Sequence, residues 1–291
     1  MKGAIALALM LAFGAAAAVQ AAEGQIAVVA AENFYGDIAR QIGGDRVAVV
    51  SIMNNPDQDP HLFETTPSIV RQLAAAQIVI INGANYDPWM DKLLAATPRT
   101  GRMVISAAQL TGRKPSDNPH LWYDPVTMPA VAAALAEALA NADSAHAQDY
   151  TARLKTTLAA LGRITQRVAQ LKAKHAGTAV TATEPVFSPM AEALGLTMRN
   201  QRFQLAMMND TEPSARDMAE FESDLKERKV KVLIYNSQVS EKLTERLRDI
   251  AHEAKVPVVG VTESMPANTS FQVWVLSELD ALDKALSGPN S

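Results

Sequence analysis

Short segments rich in Val and Ile alternate with amphipathic or Ala-rich stretches along most of the chain. Strands are predicted at residues 25–31, 47–53, 78–82 and 103–106, and again at 178–183, 231–235 and 256–261. Helical patterns cover 213–228, 240–255 and 270–286. Strands that alternate with helices usually form parallel sheets whose connections are those helices. The pattern therefore predicts an α/β fold, and its restart in the second half predicts two similar lobes.

The stretch between the two halves, residues 144–175, contains no Pro and a single Gly. Its apolar residues follow a spacing of three and four: Leu154, Leu158, Leu161, Ile164, Val168 and Leu171. This spacing predicts one amphipathic helix of about 45 Å at about 1.5 Å per residue. We therefore predict an N-terminal lobe over 22–143, a connecting helix over 144–175 and a C-terminal lobe over 176–291.

The N-terminus has the pattern of a secretory signal peptide. Lys2 precedes an apolar run over residues 5–18, and the small-residue stretch 19–21 follows. This order predicts a cleavable signal over 1–21 and a periplasmic protein. The chain has no Cys, which excludes a lipid on an N-terminal Cys, a disulfide framework and a thiolate metal site. A formal net charge of −4 gives no basic surface for nucleic acid, and we expect a monomer.

Four short segments carry metal-binding chemistry. They centre on His61 in Asp-Pro-His, His120 in Asn-Pro-His, Glu184 before a Pro, and Glu263 in Thr-Glu-Ser. His61, Glu184 and Glu263 follow predicted strands directly, and His120 lies in a loop before a helix. Ligands of open α/β sheets bind at the edge formed by the carboxyl ends of the strands. Because each lobe supplies two of the four residues, a cleft between the lobes would gather them.

Two imidazoles and two carboxylates suit a divalent first-row metal ion, whereas Ca²⁺ and Mg²⁺ prefer shells of oxygen alone. We therefore predict that His61, His120, Glu184 and Glu263 bind one such ion. Each has a simpler alternative: the histidines as surface or capping residues, Glu184 as a cap of the following turn, and Glu263 as a solvated loop residue. Glu64 either orients His61 from outside the ligand shell or caps the next helix.

The Ala-Glu-Asn-Phe-Tyr segment at 31–35, the two His motifs, the long helix and Glu184-x-x-Phe187 resemble the metal-binding solute-binding proteins of ABC transporters, called cluster A-I or family 9. The resemblance covers the mature chain. It implies two Rossmann-like lobes with mainly parallel sheets, joined by one rigid helix, with a metal site in the cleft. It also implies delivery of the ion to a membrane permease. Glu263 departs from the family pattern, because Asp is usual at that position.

Metal identity stays open between Mn²⁺ and Zn²⁺, with Fe²⁺ as a further option. Manganese-type and iron-type members usually carry Glu at the position of Glu184, whereas zinc outcompetes manganese at most nitrogen and oxygen sites. The main functional alternatives are a periplasmic metal chaperone or an adhesin of the same fold. A metallohydrolase is disfavoured, because the chain has no His-Glu-x-x-His, nucleophile elbow or phosphate loop. We predict that the protein is not an enzyme.

Overall fold

The computed structural model describes residues 24–54, 63, 65–238 and 242–288. Its strands are β1 Ile26–Glu32, β2 Val47–Met53, β3 Ile78–Ile81, β4 Met103–Ser106, β5 Ala179–Ala182, β6 Thr197–Arg199, β7 Leu233–Asn236 and β8 Val258–Val261. Its helices are α1 Asn33–Gly43, α2 Pro67–Ala75, α3 Pro88–Ala96, α4 Ala107–Leu110, α5 Thr127–Ala142, α6 Ala147–His175, α7 Ser188–Ala193, α8 Gln201–Met208, α9 Ala215–Lys226, α10 Lys242–Glu253 and α11 Phe271–Ser287.

Among the described residues, each lobe has one parallel sheet of four strands. The order is β2-β1-β3-β4 in the N-terminal lobe and β6-β5-β7-β8 in the C-terminal lobe, so the two sheets share one topology. The central strands β1 and β3 are almost entirely buried, as expected for strands covered by helices on both faces. The predicted α/β fold with two similar lobes is confirmed. Strand β6 was not predicted, because three residues are too few to show a hydrophobic pattern.

The connecting helix α6 runs without interruption from Ala147 to His175, which corresponds to about 44 Å at about 1.5 Å per residue. A short helical turn, Ser144–His146, precedes it. Its buried side chains include Leu161, Ile164, Val168 and Leu171, four of the six predicted apolar positions. Arg167 of α6 also pairs with Asp283 of α11, at 2.9 Å. The predicted long helix is therefore present and packs along one face.

The last helix, α11, packs against both lobes. It contacts α6, and its Phe271 backbone N–H donates to the Asp37 carboxylate of α1 at 2.9 Å. In the loop before it, the Met265 carbonyl accepts a 2.7 Å bond from the Asn33 amide, and the Met265 N–H donates to the same side chain at 3.2 Å. The lobes are thus joined by buried polar contacts as well as by α6.

A capping residue followed by Pro predicts the start of a helix at two places in the sequence, Thr66-Pro67 and Asp124-Pro125. Thr66 caps α2 by accepting a 3.4 Å bond from the Ile69 N–H, and Pro67 occupies the first turn, as predicted. The other prediction, Asp124 with Pro125, is wrong by two residues because α5 begins at Thr127. The Asp124 carboxylate instead accepts from the Val126 N–H at 3.2 Å and closes a local turn.

Within the described ranges, no helix has the length and apolar composition needed to cross a membrane.

Candidate metal site

The carboxyl ends of the strands in the two lobes face a common cleft, and three of the four predicted ligands lie there. Glu184 follows β5, Glu263 follows β8, and His120 lies in the loop between α4 and α5. His61 and Glu64 lie outside the described residues, so their predicted roles stay predictions. His120 and Glu263 are only 3% and 4% exposed, which argues against the simpler surface readings of both residues.

His120 is held by Asn118, two residues earlier in the same loop. The Asn118 Oδ1 atom accepts from the His120 backbone N–H at 3.0 Å and lies 2.8 Å from the ring Nδ1. An amide oxygen can only accept, so this contact places the proton of the neutral ring on Nδ1 and makes Nε2 the unprotonated nitrogen. Nε2 lies 3.9 Å from Glu263 Oε2. That separation exceeds a hydrogen bond but is shorter than the about 4.2 Å that two ligands at about 2.1 Å from one ion can span.

Glu263 is fixed at both carboxylate oxygens. Oε1 accepts a 2.7 Å bond from the Asn236 side-chain amide, and Oε2 accepts a 3.2 Å bond from the Tyr86 hydroxyl. Its backbone N–H and that of Ser264 both donate to Gln238 Oε1, at 2.6 and 2.9 Å. The side chain and the loop that carries it are therefore preorganised before any ion binds.

Asn236, the last residue of β7, holds two carboxylates at once. Its Nδ2 atom donates to Glu263 Oε1 at 2.7 Å and to Glu184 Oε2 at 3.3 Å. Two carboxylates on one amide repel each other, and a cation between them relieves that repulsion. Glu184 is only partly buried, so it keeps some contact with solvent. This pair makes the cleft attractive to a cation.

Tyr86 joins the N-terminal lobe to Glu263. Burial, followed by the nearby charges of Glu263 and Glu32, raises the pKa of Tyr86 well above its usual value, so the hydroxyl stays protonated and donates. Asp87 positions the loop by accepting from the N–H groups of Asn82 at 2.8 Å and Gly83 at 2.7 Å. Burial raises the pKa of Asp87 to about 6 despite these bonds.

The described residues bring His120 and Glu263 face to face, and bring Glu184 and Glu263 onto one amide. Within the described part of the chain, however, no three His, Asp or Glu side chains form a group that could hold an ion by themselves. The donors present are one imidazole nitrogen and carboxylate oxygens, which suit first-row divalent metals. A complete shell requires a further ligand or a small approach of these side chains.

No role was predicted from the sequence for Asn118, Tyr86 or Asn236, nor for Asn82, whose amide donates to the Pro119 carbonyl at 2.8 Å. The sequence signal that could have indicated a role was the position of the three asparagines. Asn236 is the last residue of β7 and Asn82 directly follows β3, both at the edge where ligands bind. Asn118 lies inside the His120 motif itself. Asparagine is common in turns, however, so these residues did not stand out from ordinary loop residues.

Asn118→Ala is expected to weaken metal binding by about 10- to 100-fold, the usual effect of removing a residue that orients a ligand. The substitution frees the His120 ring and also removes the 2.8 Å bond from the Asn118 amide to the Pro185 carbonyl, next to Glu184. Isothermal titration with Zn²⁺ measures the change. Asn118→Asp, which keeps the acceptor oxygen for Nδ1, is the control and should retain more affinity than the alanine variant. Equal affinity in the alanine variant and the wild type would contradict this role of Asn118.

The chain matches the family model "Zinc-uptake complex component A periplasmic" over residues 28–285. A zinc-binding protein, TroA of Treponema pallidum, is 25% identical over 251 residues, 83% of this chain and 79% of TroA. A manganese-binding lipoprotein, MntA of Bacillus subtilis, is 25% identical over 243 residues, 79% of this chain and 76% of MntA.

Solved structures show the same fold. The periplasmic zinc-binding protein TroA superposes with a TM-score of 0.76 at 21% identity, over 90% of this chain and 99% of TroA. A mutant of the laminin-binding adhesin Lmb from Streptococcus agalactiae gives a TM-score of 0.73 at 21% identity, over 90% of this chain and 99% of Lmb. Because the family model spans nearly all of the described chain, the protein belongs to the zinc-uptake component A family, the cluster A-I metal-binding solute-binding proteins of ABC importers.

Proposed function

We propose that the protein captures one divalent transition-metal ion, Mn²⁺ or Zn²⁺, in the cleft between its lobes and delivers it to a membrane permease. One observation carries the site assignment: the Asn236 amide holds Glu184 and Glu263 together, and the His120 Nε2 atom faces Glu263. His61 is the proposed fourth ligand. With two imidazoles and two carboxylates, the charge of the dication is balanced.

The signal-peptide pattern over residues 1–21 supports export to the periplasm, where the ion would be captured. The proposed role involves no chemical reaction, since the ion would be bound and released unchanged. An adhesin is the second candidate, and the fold shared with Lmb is its support. Metal accumulation separates the two: deletion of the gene should lower cellular Mn or Zn uptake under metal limitation, and the wild-type gene should restore it. Unchanged uptake would favour the adhesin.

The purified mature protein tests binding directly. We expect one equivalent of tightly held metal per chain by mass spectrometry, with Zn²⁺ binding more tightly than Mn²⁺ in competition, as the Irving-Williams order requires. A Glu184→Ala, Glu263→Ala double variant should lose the ion, because it removes both carboxylates that the Asn236 amide holds together. Metal held equally by both proteins would refute the proposed site.

Metal affinity is expected to fall as the pH drops below about 6.5, because ligand imidazoles must be neutral and an ordinary imidazole takes up a proton near that pH. Zn²⁺ competition with a chelator of known pH dependence, at several pH values from about 5 to about 7.5, measures the effect. An affinity that does not change over this range would argue against two histidine ligands.

A further inference from the structure

Glu32, the last residue of β1, is a buried carboxyl group without a visible role in the fold. It is 3% exposed, and neither of its side-chain oxygens has a hydrogen-bond partner among the described residues. It occupies the N-cap position of α1, yet its side chain makes no capping bond. Burying a polar group without a partner is costly, and native structures contain few such groups. Glu32 therefore calls for an explanation other than stability.

The surroundings of Glu32 place it near the cleft. Its charge raises the pKa of the Tyr86 hydroxyl, and that same hydroxyl donates to Glu263. Tyr86 therefore lies within electrostatic reach of both carboxyls, one from each lobe. Burial, followed by the Asp87 charge, raises the pKa of Glu32 well above its usual value. Among the described residues neither oxygen of this carboxyl has a hydrogen-bond partner, so a cation bound beside it would be its first partner.

The two sheets place Glu32 and Glu184 at corresponding positions. In the N-terminal lobe Ala30 pairs with Ile80, so the register continued by two residues sets Glu32 level with Asn82. In the C-terminal lobe Ala182 pairs with Ile234, and the same step sets Glu184 level with Asn236. Each lobe thus carries a Glu beside an Asn at the carboxyl end of its two central strands.

We propose that Glu32 is a third carboxylate of the cargo site, the N-terminal lobe's counterpart of Glu184, and that it binds the divalent cation held between the lobes. The inference rests on the proposed function, because it adds a residue to the same site. A bound dication would supply the partner that the Glu32 carboxyl lacks. The unfavourable burial of this group in the free protein is then a cost that metal binding offsets.

Glu32→Gln tests the proposal, since the amide keeps the size of the side chain and removes its negative charge. The affinities for Mn²⁺ and for Zn²⁺, each measured by isothermal titration, should fall by at least about tenfold. The metal-free variant should melt at or above the wild-type temperature, because Gln removes an unpaired buried acid. Glu137→Gln is the matched control: Glu137 is exposed on α5, and its variant should bind both ions as the wild type does.

A purely structural role for Glu32 predicts the reverse pattern, with a lower melting temperature for metal-free Glu32→Gln and wild-type affinities. That result would overturn the proposal. Glu32→Met, which fills a similar volume without polar atoms, gives the same comparison if the amide variant folds poorly. Failure of the proposed function is separate, since wild-type protein itself would then bind neither ion tightly.

Discussion

His120→Ala is expected to lower the affinity for Zn²⁺ by more than about a hundredfold, beyond the range typical of residues that only orient a ligand. The substitution removes the imidazole nitrogen that faces Glu263 at 3.9 Å. It also leaves the two carboxylates on the Asn236 amide without the imidazole of His120 beside them. Competition with a chromophoric chelator measures the affinity of the variant.

His252→Ala is the matched control for this experiment. His252 is exposed on α10, so the same substitution there removes an imidazole from the surface without touching the cleft. It should bind Zn²⁺ as the wild type does. If His120→Ala binds as tightly as His252→Ala, the ion lies elsewhere and the site assignment fails.

Glu278→Gln is expected to stabilise the protein increasingly as the pH rises from about 4.5 to about 8, by up to about 3 kcal/mol at about 1.4 kcal/mol per pKa unit. Burial raises the pKa of Glu278 from 4.5 to about 7, despite several hydrogen bonds to its carboxyl group. The folded state therefore holds this proton more tightly than the unfolded state does. The contribution of Glu278 is largest below about 4.5 and declines as the pH rises through 7.

The bonds around Glu278 explain why the amide fits. Glu278 Oε1 accepts from Trp274 Nε1 at 2.9 Å and from the Thr262 N–H at 3.1 Å, and Oε2 lies 2.7 Å from the Tyr123 hydroxyl. That hydroxyl also contacts the Thr262 carbonyl at 2.7 Å, and it has only one proton. Protonated Glu278, or Gln, can donate to the Tyr123 oxygen, which then donates to Thr262.

Urea unfolding of Glu278→Gln and the wild type at several pH values measures this difference. Other titrating groups, including Asp87, contribute to both proteins and cancel in the comparison. A difference in the free energy of unfolding that stays constant with pH would show that Glu278 does not hold its proton in the folded state.

Much of the fold could be predicted from the sequence because the periodic signals were strong. Strands β2 and β4 have the bounds that their Val and Ile runs predicted, and α6 has the predicted C-terminal end. The start of α5 was misplaced because Asp124 forms a turn with Val126 where a helix cap was expected. Caps and turns use the same residue types, so a single sequence separates them poorly.

The candidate ligands could be proposed from the sequence, but the residues that hold them could not. Histidine and glutamate next to strand ends carry recognisable chemistry, whereas the residues that hold them are Asn and Tyr, which have many other uses. The contact of Asn118 with His120 is local, but Tyr86 meets Glu263 across 177 positions of sequence. Such contacts depend on how the lobes face each other, which periodicity does not encode. Glu32 was missed for the same reason, because its burial follows from the packing of the strand ends.

Anomalous diffraction from crystals of the metal-loaded protein tests the location of the site most directly. We predict one strong anomalous peak in the cleft, about 2 to 2.3 Å from His120 Nε2 and from carboxylate oxygens of Glu184 and Glu263, the distances usual for Zn²⁺ and Mn²⁺ ligands. A single strong peak on the outer surface of either lobe, with no density for an ion near His120, would contradict the account.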